Sequence, residues 1–329
     1  MDMDAVFIGT AGSVPTARRG LPALLLRHGA SRILFDCGEG TQRQLARSVG
    51  LVDLDAVFFT HFHADHWLGL PGLLKTFDLR DRERPLYLYG PKGLEGVLDL
   101  IEEAVGSTRY EMISHELEHD EAIEFDGLSV GAFSVAHRGP AFGYEIYEPE
   151  RAGRVDLERA AALGLHPGPD LGRLQRGESV GEIDPSQVLG PTRRGRKLVL
   201  SGDTAPCQSL ARAAAGCDVL IHEATFLHED ADRAAEKAHS TSVQAAQLAA
   251  ESRTKLLALT HLSSRYHGRE IEREATEIFS NSFVAKDFDR IEIPVEEKGA
   301  PHLVREKNRN ERQLPEPTSG EPGIVSDAS

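Results

Sequence analysis

The sequence predicts an α/β protein made of two similar halves packed sheet to sheet. Three features carry that expectation. Short apolar runs divided by Gly/Pro turns fill the first half, strands and helices alternate after residue 196, and His and Asp residues recur just past the ends of apolar strands.

In the first half, residues 5–8 and 23–27 flank a glycine-containing loop. Residues 32–35, 56–59, 86–89, 123–125, 128–135 and 144–146 follow as apolar runs of strand length. Helical spacing marks 41–49, 70–79 and 93–105. In the second half strands are expected at 197–200, 218–222, 255–260 and 290–294, with helices over 209–215, 242–251 and 269–281. Between 149 and 196 the character changes. Helical spacing at 156–163 gives way to a stretch dense in Gly and Pro, which cannot form one regular element throughout. That stretch is also too long for an ordinary connection inside a domain. The expected organisation is one domain over 1–297, carrying an insert at about 149–196, and a polar tail from 298 to 329 that lacks the apolar residues to fold.

A chain of 329 residues buries enough surface to need no disulfides. Cys37, Cys207 and Cys217 form neither a paired framework nor a C-x-x-C knuckle, which suits a reducing compartment. The N-terminus is acidic where a secretory signal is basic. No apolar run approaches the roughly 20 residues that span a bilayer, so a cytoplasmic protein with no membrane contact is expected. A net charge of −15 excludes binding nucleic acid over the whole surface. Residues 151–197, however, hold nine basic and six acidic residues, a local +3 that leaves −18 elsewhere. Arg173, Arg176, Arg193, Arg194 and Arg196 are placed there to meet phosphates.

The strongest chemical signal is Thr60-His61-Phe62-His63-Ala64-Asp65-His66, directly after the strand at 56–59. Four imidazole or carboxylate donors within six residues converge only if the chain curls at once into a tight loop. His61 and His63 can share one side, while Asp65 and His66 fall on the next turn and can face a second ion. Such donors suit zinc, manganese or iron. Further donors must come from elsewhere, and His137, Asp203 and His261 each lie just beyond an apolar strand. Strand ends on a common sheet edge bring distant residues together. His28 and His267 read as surface or packing residues, and Trp67 as packing under the donor loop. Gly9, Gly12 and Gly20 lack the lysine of a phosphate-cradling loop.

At these residues the chain resembles the metallo-β-lactamase superfamily, with its H-x-H-x-D-H signature followed by single His, Asp and His residues. The resemblance implies a four-layer αββα sandwich. It also implies one ion on His61, His63 and His137, a second on Asp65, His66 and His261, Asp203 between them, and Asp36 in support. The finer resemblance is to ribonuclease Z and extends to about residue 297. It rests on His222-Glu223-Ala224-Thr225-Phe226, His239-Ser240-Thr241, His261-Leu262-Ser263-Ser264-Arg265-Tyr266, and the Gly/Pro-rich insert in the place of that family's tRNA-binding arm. The resemblance implies two Zn²⁺ per subunit (Mn²⁺ or Fe²⁺ as substitutes), a homodimer, and removal of the 3′ trailer from precursor tRNA. The nearest alternative is a phosphodiesterase of the same fold acting on small or single-stranded substrates.

Two ions can activate water and clamp a phosphate. The implied roles are Asp65 for orienting and deprotonating that water, His239 for protonating the leaving O3′, and Glu223 for holding His239. Arg19, Arg173, Arg176, Arg194 and Arg265 are the candidate RNA contacts. One departure stands out. The family's P-x-K-x-R-N loop reads Pro15-Thr16-Ala17-Arg18-Arg19-Gly20 here, so the lysine and asparagine are absent and Arg18 is the nearest extra charge.

Overall fold

Side chains on successive residues of a strand point to opposite faces, so a sheet covered on both sides needs apolar residues at nearly every position. That is the pattern in β1 (Met3–Gly9), β2 (Ala23–His28), β3 (Ser31–Phe35) and β4 (Ala56–Phe58). Phe7, Leu24, Phe35 and Phe58 face a second sheet, while Val6, Leu25, Leu34 and Val57 face helices. The computed structural model describes residues 1–305.

Helices α1 (Thr41–Arg47), α2 (Ala64–Trp67), α3 (Leu70–Leu79) and α4 (Leu94–Val105) separate β3, β4, β5 (Leu86–Gly90) and β6 (Met112–Glu116). The chain then crosses to β7 (Ala122–Phe125), β8 (Leu128–Ser134) and β9 (Phe142–Tyr147). After the insert, which contains α5 (Leu157–Ala162) and α6 (Pro169–Gln175), come β10 (Lys197–Leu200), α7 (Gln208–Ala214), β11 (Val219–Glu223), α8 (Ala231–Lys237), α9 (Ser242–Glu251), β12 (Leu256–Thr260), α10 (Gly268–Ile278) and β13 (Ser282–Val284). Strands β14 (Arg290–Glu292) and β15 (His302–Val304) return to the first sheet.

One sheet has the order β15-β14-β1-β2-β3-β4-β5-β6 and the other β13-β12-β11-β10-β9-β8-β7. Each half begins with antiparallel strands and ends in parallel ones, β3 to β6 and β10 to β13. Leu198, Leu200, Ile221 and Ala258 meet Phe7, Phe35 and Phe58 between the sheets. Val199, Leu220 and Leu257 pack outward on α7, α9 and α10. The result is helix, sheet, sheet, helix. Tyr144 of β9 ties the layers together at one edge, its hydroxyl donating to the Phe59 carbonyl at 2.5 Å while Phe142 N–H donates to Thr60 O at 2.8 Å.

Several elements escape the sequence pattern. Strand β6 reads Met-Ile-Ser-His-Glu and is half-buried at a sheet edge, so it carries no clear alternation. The tail expected from 298 also needs correction. Residues 302–304 pair with β14, and Leu303 reaches the inter-sheet core. One apolar residue suffices there because the edge of β14 offers a ready ladder of hydrogen bonds. Residues 306–329 lie outside the described residues. Among the described residues no helix is long and apolar enough to cross a membrane.

The insert joins the antiparallel neighbours β9 and β10. Its two strands run back alongside each other, with Glu148 N–H on Arg196 O, isolated bridges at Arg151–Arg193 and Val155–Leu189, and Gly190 N–H on Arg154 O. Beyond that stem the chain closes on a small core of its own, Ala160, Leu165, Leu174 and Val188. Helix α6 lies inside the Gly/Pro-rich stretch that composition had marked as irregular. Pro169 occupies its first turn, where a missing N–H costs nothing.

Candidate metal centre

The donors gather at one rim of the sandwich because of strand direction. Asp36 and Thr60-His61 follow the C-terminal ends of β3 and β4. Asp203, Glu223 and His261 lie at the ends of the parallel strands β10, β11 and β12. Strand β8 is separated from β10 by β9, which is antiparallel to both, so His137 emerges at the same rim. Two donors turn sharply there. Asp36 and His261 have φ of 58° and 56°, a left-handed conformation that costs a non-glycine residue about 1 kcal/mol or more. Gly202, at φ 61°, precedes Asp203, and a Cβ on it would lie 2.7 Å from the Phe142 carbonyl oxygen.

His61, His63, His137 and Asp203 bring one donor atom each to within 4.8 Å of one another, and so do Asp65, His66 and His261. His63 Nδ1 lies 3.0 Å from His61 Nε2 and 3.2 Å from His137 Nε2. Asp203 Oδ2 sits between the two groups, 3.7 Å from His61 Nε2, 3.4 Å from His66 Nε2 and 3.2 Å from His261 Nε2. The contacts of Asp65 fall on Oδ2, which accepts Ser13 N–H at 2.8 Å and faces His261 Nε2 at 3.4 Å and His66 Nε2 at 3.6 Å.

Each of four imidazoles is held from behind, which fixes the nitrogen left facing the centre. His66 Nδ1 donates to Asp36 Oδ2 at 2.8 Å, and His137 Nδ1 donates to the Ala238 carbonyl at 2.8 Å. Thr60 Oγ1 gives its proton to Asp36 and meets His61 Nδ1 at 3.0 Å. Thr225 Oγ1 gives its proton to Glu223 and meets His261 Nδ1 at 2.8 Å. Thr60 and Thr225 stand inside motifs the sequence had marked, and only their supporting role went unseen. The Ala238 carbonyl is backbone and leaves no signature in sequence.

These donors fit a divalent cation. His66 Nε2 is buried and has no hydrogen-bond partner although it points between two carboxylates. Three ring nitrogens and Asp203 converge on the His63 side, a donor set that suits a divalent cation. Burial opposes charging His66, yet Asp203 and Asp36 outweigh it and hold its proton well above the ordinary range. Burial and neighbouring imidazoles push His61 and His63 down. Asp203, despite burial, stays far below the usual carboxylate range because His261 and His66 surround it.

His239 adjoins this cluster and forms a third group of donor atoms within 4.8 Å with Asp203 and His261. Its Nδ1 donates to Glu223 Oε1 at 2.8 Å and lies 4.0 Å from Asp203 Oδ2. Glu223 is buried and also accepts Thr204 N–H at 2.8 Å and Thr225 Oγ1 at 2.6 Å, so both its oxygens are oriented. Burial works against a proton on His239, but the Glu223 carboxylate outweighs it and lifts the imidazole to about 9.

The arginines do not join that cluster. Arg19 points inward and donates to Thr10 Oγ1 and Ala285 O, both at 2.6 Å, so it anchors its own loop while Arg18 is exposed. Arg173 and Arg176 are exposed in the insert and share Glu178. Arg194 is tied to Asp218 at 2.5 Å, Arg193 to Glu297 at 2.5 Å, and Arg265 is exposed. Arg196 corrects the expectation of a phosphate contact. It is 3% exposed and binds Glu148, Ile293 O and Met1 O at the root of the insert. His28 is likewise buried, bonded to Glu148 at 2.9 Å, and His267 caps α10. Trp67 packs against the helix-side core of the first sheet.

The model of the metallo-beta-lactamase superfamily matches residues 22–261. A ribonuclease Z from Natronomonas pharaonis is 43% identical over 304 residues, covering 89% of this chain and 99% of that protein. A ribonuclease Z from Methanosarcina acetivorans is 40% identical, covering 88% of this chain and 97% of its own. Among solved structures, the short form of human tRNase Z superposes with a TM-score of 0.65 at 28% identity, covering 89% of this chain and all of the other. The Bacillus subtilis protein YhfI shares the fold with a TM-score of 0.67 at 19% identity.

Proposed function

The chain belongs to the ribonuclease Z family of the metallo-β-lactamase superfamily, and on that premise we propose that it cuts the 3′ trailer from precursor tRNA at a two-cation centre. The products are a tRNA with a free 3′-hydroxyl and a trailer with a 5′-phosphate. The observation that carries this reading is the Glu223–His239 pair beside the donor cluster. A phosphodiester whose leaving group is an alkoxide needs a proton donor, and His239, bonded through Nδ1 to Glu223, is placed to be one.

His61, His63 and His137 would hold one Zn²⁺, and Asp65, His66 and His261 the other, with Asp203 shared. Mn²⁺ or Fe²⁺ satisfies the same donors. Such cations supply Lewis acidity and a water acidic enough to attack at neutral pH. The protein's own residues do the rest. Asp65 keeps Oδ1 clear of the contacts on Oδ2 and takes the proton of the attacking water. His239 gives its proton to O3′ as the bond to phosphorus breaks. Glu223 holds His239 through Nδ1, which leaves Nε2 as the atom that delivers.

The insert takes the part of the tRNA-gripping arm, with Arg173 and Arg176 as its outward charges. A homodimer, in which one subunit's insert holds the tRNA cut by the other, completes the reading. Three unpaired cysteines suit a cytoplasmic setting. The test is incubation of the purified protein with a 3′-extended tRNA, with and without a chelator, mapping both new ends. Cleavage after the last tRNA nucleotide that stops on chelation is the expected result. Turnover of small phosphodiesters with none of tRNA would favour the alternative phosphodiesterase.

A further inference from the structure

The segment 261–266 supplies His261 to the centre, but its last residue, Tyr266, has no part in the chemistry described so far. Its surroundings give it one. The Tyr266 hydroxyl donates to the Asp230 carboxylate, and its ring meets Phe226 at 6.4 Å between centroids. Phe226 in turn lies 6.1 Å from the His239 ring. Asp230 occupies the N-cap position of α8, yet its side chain makes no capping bond there and instead accepts from Tyr266.

Helix α8 leads directly to His239, and it is poorly anchored. It is seven residues long, too short to be stable alone. Ala234 is its one buried residue. It ends on Ala238, a non-glycine residue at φ 56° whose carbonyl receives His137 Nδ1–H. With so little apolar burial, polar anchors set where this helix lies. At its end these are the His137 bond and Arg138 on Glu236 O. At its start the side-chain anchors include Tyr266 on Asp230, His228 Nδ1 on Thr241 Oγ1 at 3.3 Å and, from α10, Glu274, which accepts His228 N–H and the Ser242 hydroxyl.

We infer that Tyr266, acting through Asp230, is a positioning residue for His239. The pair ties the loop that carries His261, which would hold a metal, to the short helix that leads to the proton donor, so the two keep a fixed separation. Burial and the Asp230 carboxylate push the Tyr266 phenol up to about 12, so it remains a donor through neutral pH. The inference rests on His239 as the acid.

The experiment compares the metal-loaded wild type with Tyr266→Phe, Asp230→Ala and the double variant on two substrates. A 3′-extended tRNA expels an alkoxide that needs a proton; bis(p-nitrophenyl) phosphate expels a phenolate that does not. Each single variant is expected to lower kcat on tRNA about tenfold, a fraction of what losing an acid outright costs, with KM within about twofold. Aryl ester turnover and metal content stay at the wild-type level, and the double variant is no worse than either single, as for two groups acting as one. Equal losses on both substrates would make the pair merely structural, and a raised KM with unchanged kcat would make Tyr266 an RNA contact; either overturns the inference, as does an unchanged kcat. His239→Ala, run alongside, separates the two levels. If it loses only tRNA cleavage while Tyr266→Phe loses nothing, positioning fails and the acid stands. If it loses both substrates equally, the acid reading itself falls.

Discussion

The donor loop at 60–66 and the insert at 148–196 are built in opposite ways. The loop lies where both sheets end, stitched to the second sheet by Tyr144 and Phe142, and four of the imidazoles at this centre are gripped by a second partner. The insert leaves the sandwich through one antiparallel stem and keeps four buried apolar residues of its own. Its outward arginines lean on Glu178 in exposed ion pairs that solvent weakens. Chemistry is placed on the rigid part because misplacement of about 1 Å can cost two orders of magnitude in rate. The insert, which we propose grips the tRNA, has a core separate from the three that hold the sandwich together.

The largest effect should come from within the rigid region. His239→Ala is expected to lower kcat on precursor tRNA by about 10²–10⁴-fold while bound metal, measured by elemental analysis, stays at the wild-type level. A variant that also lost metal would mean that the His239 side belongs to the metal-holding framework, and the division between holding and proton delivery would go.

A smaller loss should follow from the other region. Replacing residues 156–188 with a short Gly-containing turn removes the satellite core and Arg173 and Arg176 but leaves Val155 and Leu189 on opposite sides of the stem, where they can keep their bridge. Cleavage of 3′-extended tRNA is then expected to fall about 10²-fold in kcat/KM, through KM, as phosphate contacts are lost. Hydrolysis of bis(p-nitrophenyl) phosphate should change less than about twofold. Parallel losses on both substrates would show that insert and centre are one unit after all.

The same contrast explains what the residues disclosed. The donor loop was legible because its chemistry is contiguous: His61, His63, Asp65 and His66 stand within six positions. His137, Asp203 and His261 were legible because a donor just past an apolar strand is a spatial statement, the strand end marking the rim. Arg196 misled for the opposite reason. A Gly-Arg-Lys sequence in a basic segment reads as solvent-facing, and only the three-dimensional root of the insert reveals that the guanidinium is buried against Glu148. Tyr266 and Asp230 are 36 residues apart and on no common face, so their bond had no sequence pattern to announce it. Strands β6 and β15 were missed because edge strands need only part of the alternation that central strands require.

The smallest expected effect probes the seam between the regions. Glu148 and Arg196 close the base of the insert, with His28 on the remaining carboxylate contact at 2.9 Å. Burial would raise the Glu148 pKa, but Arg196 and His28 outweigh it and hold the carboxyl well below its ordinary value near 4.3. Because the folded-state value is the depressed one, the stability this group adds is fully present above about pH 4–5 and lost as pH falls further. Glu148→Gln removes the charge and replaces one of the two accepting oxygens by an amide NH2, leaving a single acceptor for Arg196, so a loss of about 1–3 kcal/mol is expected at pH 7. Urea midpoints of wild type and variant should therefore differ by a constant amount from pH 6 to 8 and converge below pH 4. A difference that instead persisted into acid would assign the stability to packing around Glu148 rather than to its charge. If the variant at neutral pH lost tRNA cleavage while retaining aryl ester hydrolysis, the seam itself would be what holds the insert in register for RNA.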